Sequence, residues 1–131
     1  GLGAIELDAN ARIKPVGEVS DSRFRQLLAG ATFLWHPALL DNGTFSVVEA
    51  AQLGVPSLSS DYPAMRELAA QFNLPLTFFD PRNSHDMASR LKWMELSHEE
   101  KRAALPNRTA LQASSGDAVA MTYWRQVRQC L

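Results

Sequence analysis

Cysteine is almost missing from this chain. Cys130 stands alone among 131 residues, beside the C-terminus. A disulfide framework within the chain is excluded, which fits a reducing compartment. No base or cationic partner is in view to activate Cys130 as a nucleophile. No excess of either charge is present: 13 Lys and Arg face 14 Asp and Glu, for a net charge of -1. Without a basic stripe, nucleic acid is not the expected partner. No apolar run approaches the ~20 residues of a membrane span. No spacing of His, Cys, Asp or Glu reads as a metal site, so neither a metal nor a resident cofactor is expected. A signal peptide is lacking too, and the chain opens "GLGAIELDANAR" without methionine. That opening reads as a processed, tagged or excised piece, with residues 1–11 a loop or remnant of something upstream. Asn42-Gly-Thr44 and Asn107-Arg-Thr109 match the glycosylation acceptor pattern, and both read as chance matches without a secretion signal.

What is present is enough hydrophobic residue, 46% of the chain, to build one core. Apolar runs alternate with helical patterns. "RIKPVG" (12–17) reads as a short strand. In "SDSRFRQLLAG", Phe24, Leu27, Leu28 and Ala31 fall at helical spacing behind a Ser20 or Asp21 cap. "ATFLWHP" (31–37) is a buried strand stopped by proline. "SVVEAAQLG" is a helix ending at Gly54. "VPSLSS" (55–60) is a third strand. Pro63 fits the first turn of a helix whose Met65, Leu68, Ala69 and Phe72 share a face. "LPLTFFD" (74–80) is a fourth strand. From Ser84 the pattern is helical to the end, with "SHEE" (97–100) a capping box that starts a new helix. Strands separated by single helices pair in parallel through right-handed crossovers. The expected fold is therefore α/β: a doubly wound, Rossmann-like parallel sheet of about four strands with a helical C-terminal tail.

One stretch bears on chemistry: "LDNGTFSVVEAAQLGVPSLSSD", residues 40–61. In an open parallel sheet, ligands sit beyond the carboxyl ends of the strands. Here a strand ends at Pro37, a glycine-bearing loop follows, and a helix begins near Ser46. The first amides of such a helix favour an anion such as phosphate. Gly43 lets backbone approach a ligand, and Thr44 and Ser46 carry hydroxyl donors. A plain structural reading stands beside this one. Ser46-Val-Val-Glu49 is also a capping box, in which Glu49 reaches back to the Ser46 amide and Asp41 only forms the turn.

From about residue 13 to about 95, and more loosely to 131, the sequence resembles the C-terminal domain of the group-1 retaining glycosyltransferases of the GT-B fold. The matching residues are "VGEVSDSRFRQLLAGATFLWHPALLDNGTFSVVEAAQLGVPSLSSDYPAMREL" and "FFDPRNSHDMASRL". The family carries two acids with seven residues between them, then "EA…G.P". Here these positions are Asp41 and Glu49, followed by Ala50, Gly54 and Pro56. The resemblance implies sugar transfer from a nucleoside-diphosphate sugar to an acceptor, with retention at the anomeric carbon. Residues 12–131 would be part of the donor-binding domain, one half of a GT-B fold. By the same resemblance Asp41 is the catalytic acid that contacts the donor sugar's hydroxyls, and Glu49 accepts from the ribose hydroxyls. Asn42, Gly43, Thr44, Phe45, Ser46 and Val47 would face sugar and diphosphate. The family usually has glutamate where Asp41 stands, one methylene longer.

The implied partners are the donor, a glycan or lipid-linked acceptor and a missing N-terminal domain. Without that domain the fragment alone is expected to be inactive. The implied setting is polysaccharide synthesis in the cytoplasm, including the inner face of a membrane. Two rivals remain: a GT-B-like nucleotide-sugar epimerase, and a non-catalytic α/β binding or scaffold domain.

Among other residues, His36 is expected as a packed core histidine, with a place at the cleft as its alternative. His85 and His98 are expected to be solvated. Ser59, Ser60 and Asp61 are expected to cap the helix at Pro63. Arg66-Glu67 reads as an exposed pair, and Trp35, Trp93 and Trp124 as core or domain-packing aromatics. Val119, Tyr123 or Trp124, and Val127 form a face on the last helix.

Overall fold

In a computed structural model, the structure describes residues 12–39, 45–113 and 116–130. Three strands, β1 (Leu34–His36), β2 (Ser57–Ser60) and β3 (Thr77–Phe79), form one parallel sheet in that order. The register pairs Leu34 with Ser57, His36 with Ser59, Leu58 with Thr77 and Ser60 with Phe79. The α/β class and the parallel pairing are as expected.

The strand count is corrected from about four to three among the described residues. Residues 12–17 are irregular and exposed, not a strand. Pro15 removes one ladder donor from that run, and no described strand lies beside it to supply the remaining bonds.

Helix α1 (Asp21–Ala29) starts where Ser20 accepts from the Arg23 amide at 3.2 Å, and it buries Leu28. Helix α2 (Ser46–Gln52) links β1 to β2, and α3 (Pro63–Gln71) links β2 to β3. These two helices end alike. After α2, Gly54 takes φ +76°, and the amides of Gly54 and Val55 return to the carbonyls of Ala51 and Ala50 at 3.0 and 2.8 Å. After α3, Asn73 takes φ +51°, and Asn73 and Leu74 return to Ala70 and Ala69 at 3.3 and 2.8 Å. Both are Schellman stops, in which a left-handed residue frees the last carbonyls to be satisfied locally. Each delivers a buried apolar residue, Val55 or Leu74, to the start of the next strand.

Alternation along the strands gives the sheet two faces. Leu58 and Phe79 point to one, where Met87, Leu91 and Met94 of α4 (Ser84–Ala103) cover them. Leu34 and Phe78 point to the other. There Val47, Val48 and Ala51 of α2 meet Met65 and Ala69 of α3, and Leu111 of α5 (Arg108–Ala113) plugs the cluster. Helices on both faces are what a doubly wound sheet requires.

The expected restart at Ser97 is not found: α4 runs unbroken for 20 residues. Neither Gly nor Pro interrupts it, and Glu99 to Arg102 are good helix formers, so the capping signal at Ser97 is overridden. Lys101 and Arg102 fall in the last turn, where cations suit the helix dipole. Helix α6 (Gly116–Cys130) follows. Trp124 and Val127 are exposed on it, while the side chains of Val119 and Tyr123 lie outside the described residues. Trp35 and Trp93 are exposed as well, so of the two expectations for the tryptophans, core or domain packing, the core one is corrected. No helix among the described residues is long and apolar enough to cross a membrane.

Candidate functional site

Strands β1, β2 and β3 all point their carboxyl ends the same way, at His36, Ser60 and Phe79. The chain leaves the sheet at this edge through Pro37 and enters α2 from Phe45. Asp41, Asn42, Gly43 and Thr44 lie outside the described residues, so their placement is not part of the site's geometry. Phe45, Ser46, Val47 and Glu49 are described.

Helix α2 begins one residue earlier than a capping box needs. Its N-cap is Phe45, whose side chain makes no capping bond, and Ser46 is the first helical residue. Glu49 is therefore the fourth helical residue, beyond the third position from which a capping-box carboxylate reaches back. The ladder opens with the amides of Val48 and Glu49 both donating to the Phe45 carbonyl at 2.9 Å. The Glu49 side chain is exposed and makes no hydrogen bond or ion pair to another described residue.

The other members of the stretch divide by role. The Val47 side chain is fully buried in the core, so only its backbone is placed to meet a ligand. Phe45 is half-exposed, and its ring stands edge-on to Phe72 with centroids 6.3 Å apart. This contact fastens the start of α2 to the end of α3. Ser46 is partly buried.

His36 is partly buried at the end of β1, with Nδ1 3.4 Å from Ser59 Oγ. Ser59 and Ser60 do not cap α3. That helix has Tyr62 as N-cap, without a side-chain capping bond, and Pro63 in its first turn. Asp61 does not cap it either. Its carboxylate takes both ends of Arg66, from Nε at 2.8 Å and Nη2 at 2.7 Å. The hydrogen bond from Arg66 holds the Asp61 carboxyl below the usual carboxylate range, and its positive charge adds to the effect. Arg66 thus pairs back across the helix start rather than with Glu67. A five-residue spacing over a proline has no helical periodicity, which is why this partner was not legible in sequence. His85 is exposed, as expected, whereas His98 is half-buried with Nδ1 2.9 Å from the Glu95 carbonyl.

A groove of about 530 Å³ runs along the outer edge of β3, between α3 and α4. It is rich in charge, and the charges answer one another. Arg66 is held by Asp61 and stacks on Phe78, 4.3 Å from the ring centre. Arg90 lies 3.8 Å from Asp86, whose other oxygen accepts from the Asp80 amide at 2.7 Å. Lys101 sits over Trp93. Among the described residues no three His, Cys, Asp or Glu side chains are grouped as metal ligands.

Against known families, the model described as "Glycosyl transferases group 1" matches residues 3–111. No curated protein and no solved structure matches the chain.

Proposed function

The chain belongs to the group 1 glycosyl transferases, and on that premise we propose that it is the donor-binding part of such an enzyme. It takes a nucleoside-diphosphate sugar and passes the sugar to an acceptor with retention of configuration, a second domain closing the cleft. The observation that carries this reading is Glu49. It stands exposed near the start of a helix at the carboxyl edge of a parallel sheet, and no described residue takes its carboxylate. A structural capping role would have left it turned back on the helix.

The chemistry follows from the residue types. A carboxylate accepts from two adjacent hydroxyls, the arrangement that the ribose diol presents. Glu49 takes that role and fixes the nucleotide. Asp41, with seven residues between it and Glu49, takes the hydroxyls of the donor sugar and orients it. The first-turn amides of α2 lie on the diphosphate side, where negative charge grows as the sugar departs. The acid–base pair that an epimerase needs has no second member beside Asp41 in the sequence. These residues are expected to bind the donor.

The test is a titration of the ¹⁵N-labelled chain with UDP, GDP and ADP, repeated on Glu49→Gln. Shifts centred on residues 43–49 and weakened in the variant are expected, and the nucleotide that gives them names the base. No shifts at millimolar nucleotide with any of the three would sink the donor-site reading.

A further inference from the structure

Strand β2 is the middle strand of a parallel sheet, a place usually filled by an unbroken apolar run. It reads Ser57-Leu58-Ser59-Ser60, and all four residues are buried. Ser59 and Ser60 have no exposed surface at all. A buried hydroxyl adds little to packing and needs a partner.

Ser60 finds its partners on the neighbouring strand's exit. Its Oγ accepts from the Ala38 amide at 2.8 Å and lies 3.4 Å from the His36 carbonyl, as donor. The backbone ladder between β1 and β2 pairs no further than His36 with Ser59. Pro37 comes next and has no N–H to be held by. Ala38 therefore carries the first amide after β1 that can be fixed, and a side chain fixes it. From the opposite face of the sheet, Ser59 Oγ approaches the His36 ring at 3.4 Å. Consecutive strand residues point to opposite faces, so the two serines grip the exit of β1 from both sides.

We propose that Ser60 is a positioning residue for the donor site. Its hydroxyl sets the point and direction at which the loop carrying Asp41 leaves the sheet. The far end of the same loop is set by Phe45 against Phe72 and by the buried Val47. With both ends fixed, the span from Ala38 to Phe45, between which Asp41 falls in sequence, is a property of the fold. The proposal rests on the donor-site reading for its consequence, but the latch itself has a readout that needs no ligand.

The test compares wild type with Ser60→Ala and Ser60→Thr by amide hydrogen exchange and by titration with the nucleoside diphosphate that wild type binds. Loss of one hydrogen bond to a buried amide should speed Ala38 exchange about tenfold. The amides of Leu58 and Met65, in the core, should change much less. Nucleotide affinity should fall by a similar factor, and threonine, which keeps the hydroxyl, should restore both. Ser60→Cys keeps the volume but is a weak acceptor, so it should give the same local signature if the alanine variant does not fold. The proposal is overturned if Ala38 exchange rises only in step with Leu58 and Met65, which marks a general stabilising role. It is equally overturned if Ala38 loosens and affinity does not move. If wild type binds none of the three nucleotides, the donor reading fails by itself, and the latch stands or falls on the exchange comparison.

Discussion

Two charged regions border the sheet, and they are built on opposite plans. In the groove along β3, each of Arg66, Arg90 and Lys101 has an internal counterpart, an aspartate or a tryptophan face. At the start of α2, Glu49 has none among the described residues. The groove has more charge and more concavity, yet two of its cations, Arg66 and Arg90, are already paired with aspartates. A ligand entering it must break pairs before it makes any. A ligand reaching Glu49 displaces only water. The donor-site proposal therefore rests on unanswered charge and not on charge density.

The comparison can be broken or sharpened in four ways. The largest effect is expected from Phe79→Ala, which empties the core beneath the groove side of the sheet. Denaturant unfolding should show a loss of about 3–5 kcal/mol, and both regions should fail with the fold. A loss under about 1 kcal/mol would mean that β3 is not integral to the core.

Next comes the direct contrast between regions. Glu49→Gln should weaken nucleoside-diphosphate binding by about tenfold or more, as expected for a charged hydrogen-bond acceptor, and leave the melting temperature unchanged. Arg90→Gln, in the groove, should leave binding within about twofold. Equal effects from the two variants would remove the distinction drawn here.

Smaller is Gly54→Ala, at the far end of α2. A Cβ there meets no neighbour, so the cost is the left-handed backbone alone, about 1 kcal/mol by chemical denaturation. Affinity should stay put, because the perturbation lies at the end of the helix away from Glu49.

The smallest effect is pH-dependent and confined to the groove. Because Arg66 holds the Asp61 carboxyl below its ordinary value, the pair contributes stability above the pKa of an unfolded aspartate. That contribution is lost as pH falls through the lower folded-state value. Wild type should therefore be slightly more stable than Asp61→Asn near neutral pH, and the two should converge once acid has protonated the folded-state Asp61 carboxyl. A gap that widens on acidification would contradict the pairing.

How far the sequence could be read depended on whether a signal was local. Gly54 as a helix stop, Pro63 in a first turn and the face of Met65, Ala69 and Phe72 are local patterns, and the structure has them all. The restart at Ser97 was also a local signal, but a continuous run of helix formers overruled it. The run at 12–17 failed because a strand is defined by a neighbour, which no residue within the run specifies. In the candidate site, the spacing of Asp41 and Glu49 was legible, whereas the capping alternative turned on a one-residue shift of the helix start. The bond from Ser60 to Ala38 spans 22 residues, and the pairing of Asp61 with Arg66 crosses a turn. Both needed coordinates.

The bond between the Asp80 amide and Asp86 has a consequence for solubility. Phe79 turns its carbonyl toward β2, where the Asp61 amide donates to it, so Leu76, Phe78 and Asp80 present their backbone outward. The Asp80 amide is occupied by Asp86, and the Leu76 amide by the Leu74 carbonyl at 2.9 Å. Only Phe78 retains an open donor along that rim, and its ring carries the guanidinium of Arg66. A second chain seeking to extend the sheet there meets one vacant amide flanked by a cation, too little to template a cross-chain ladder. The same carboxylate that pairs with Arg90 thus also blunts the β3 edge of the sheet.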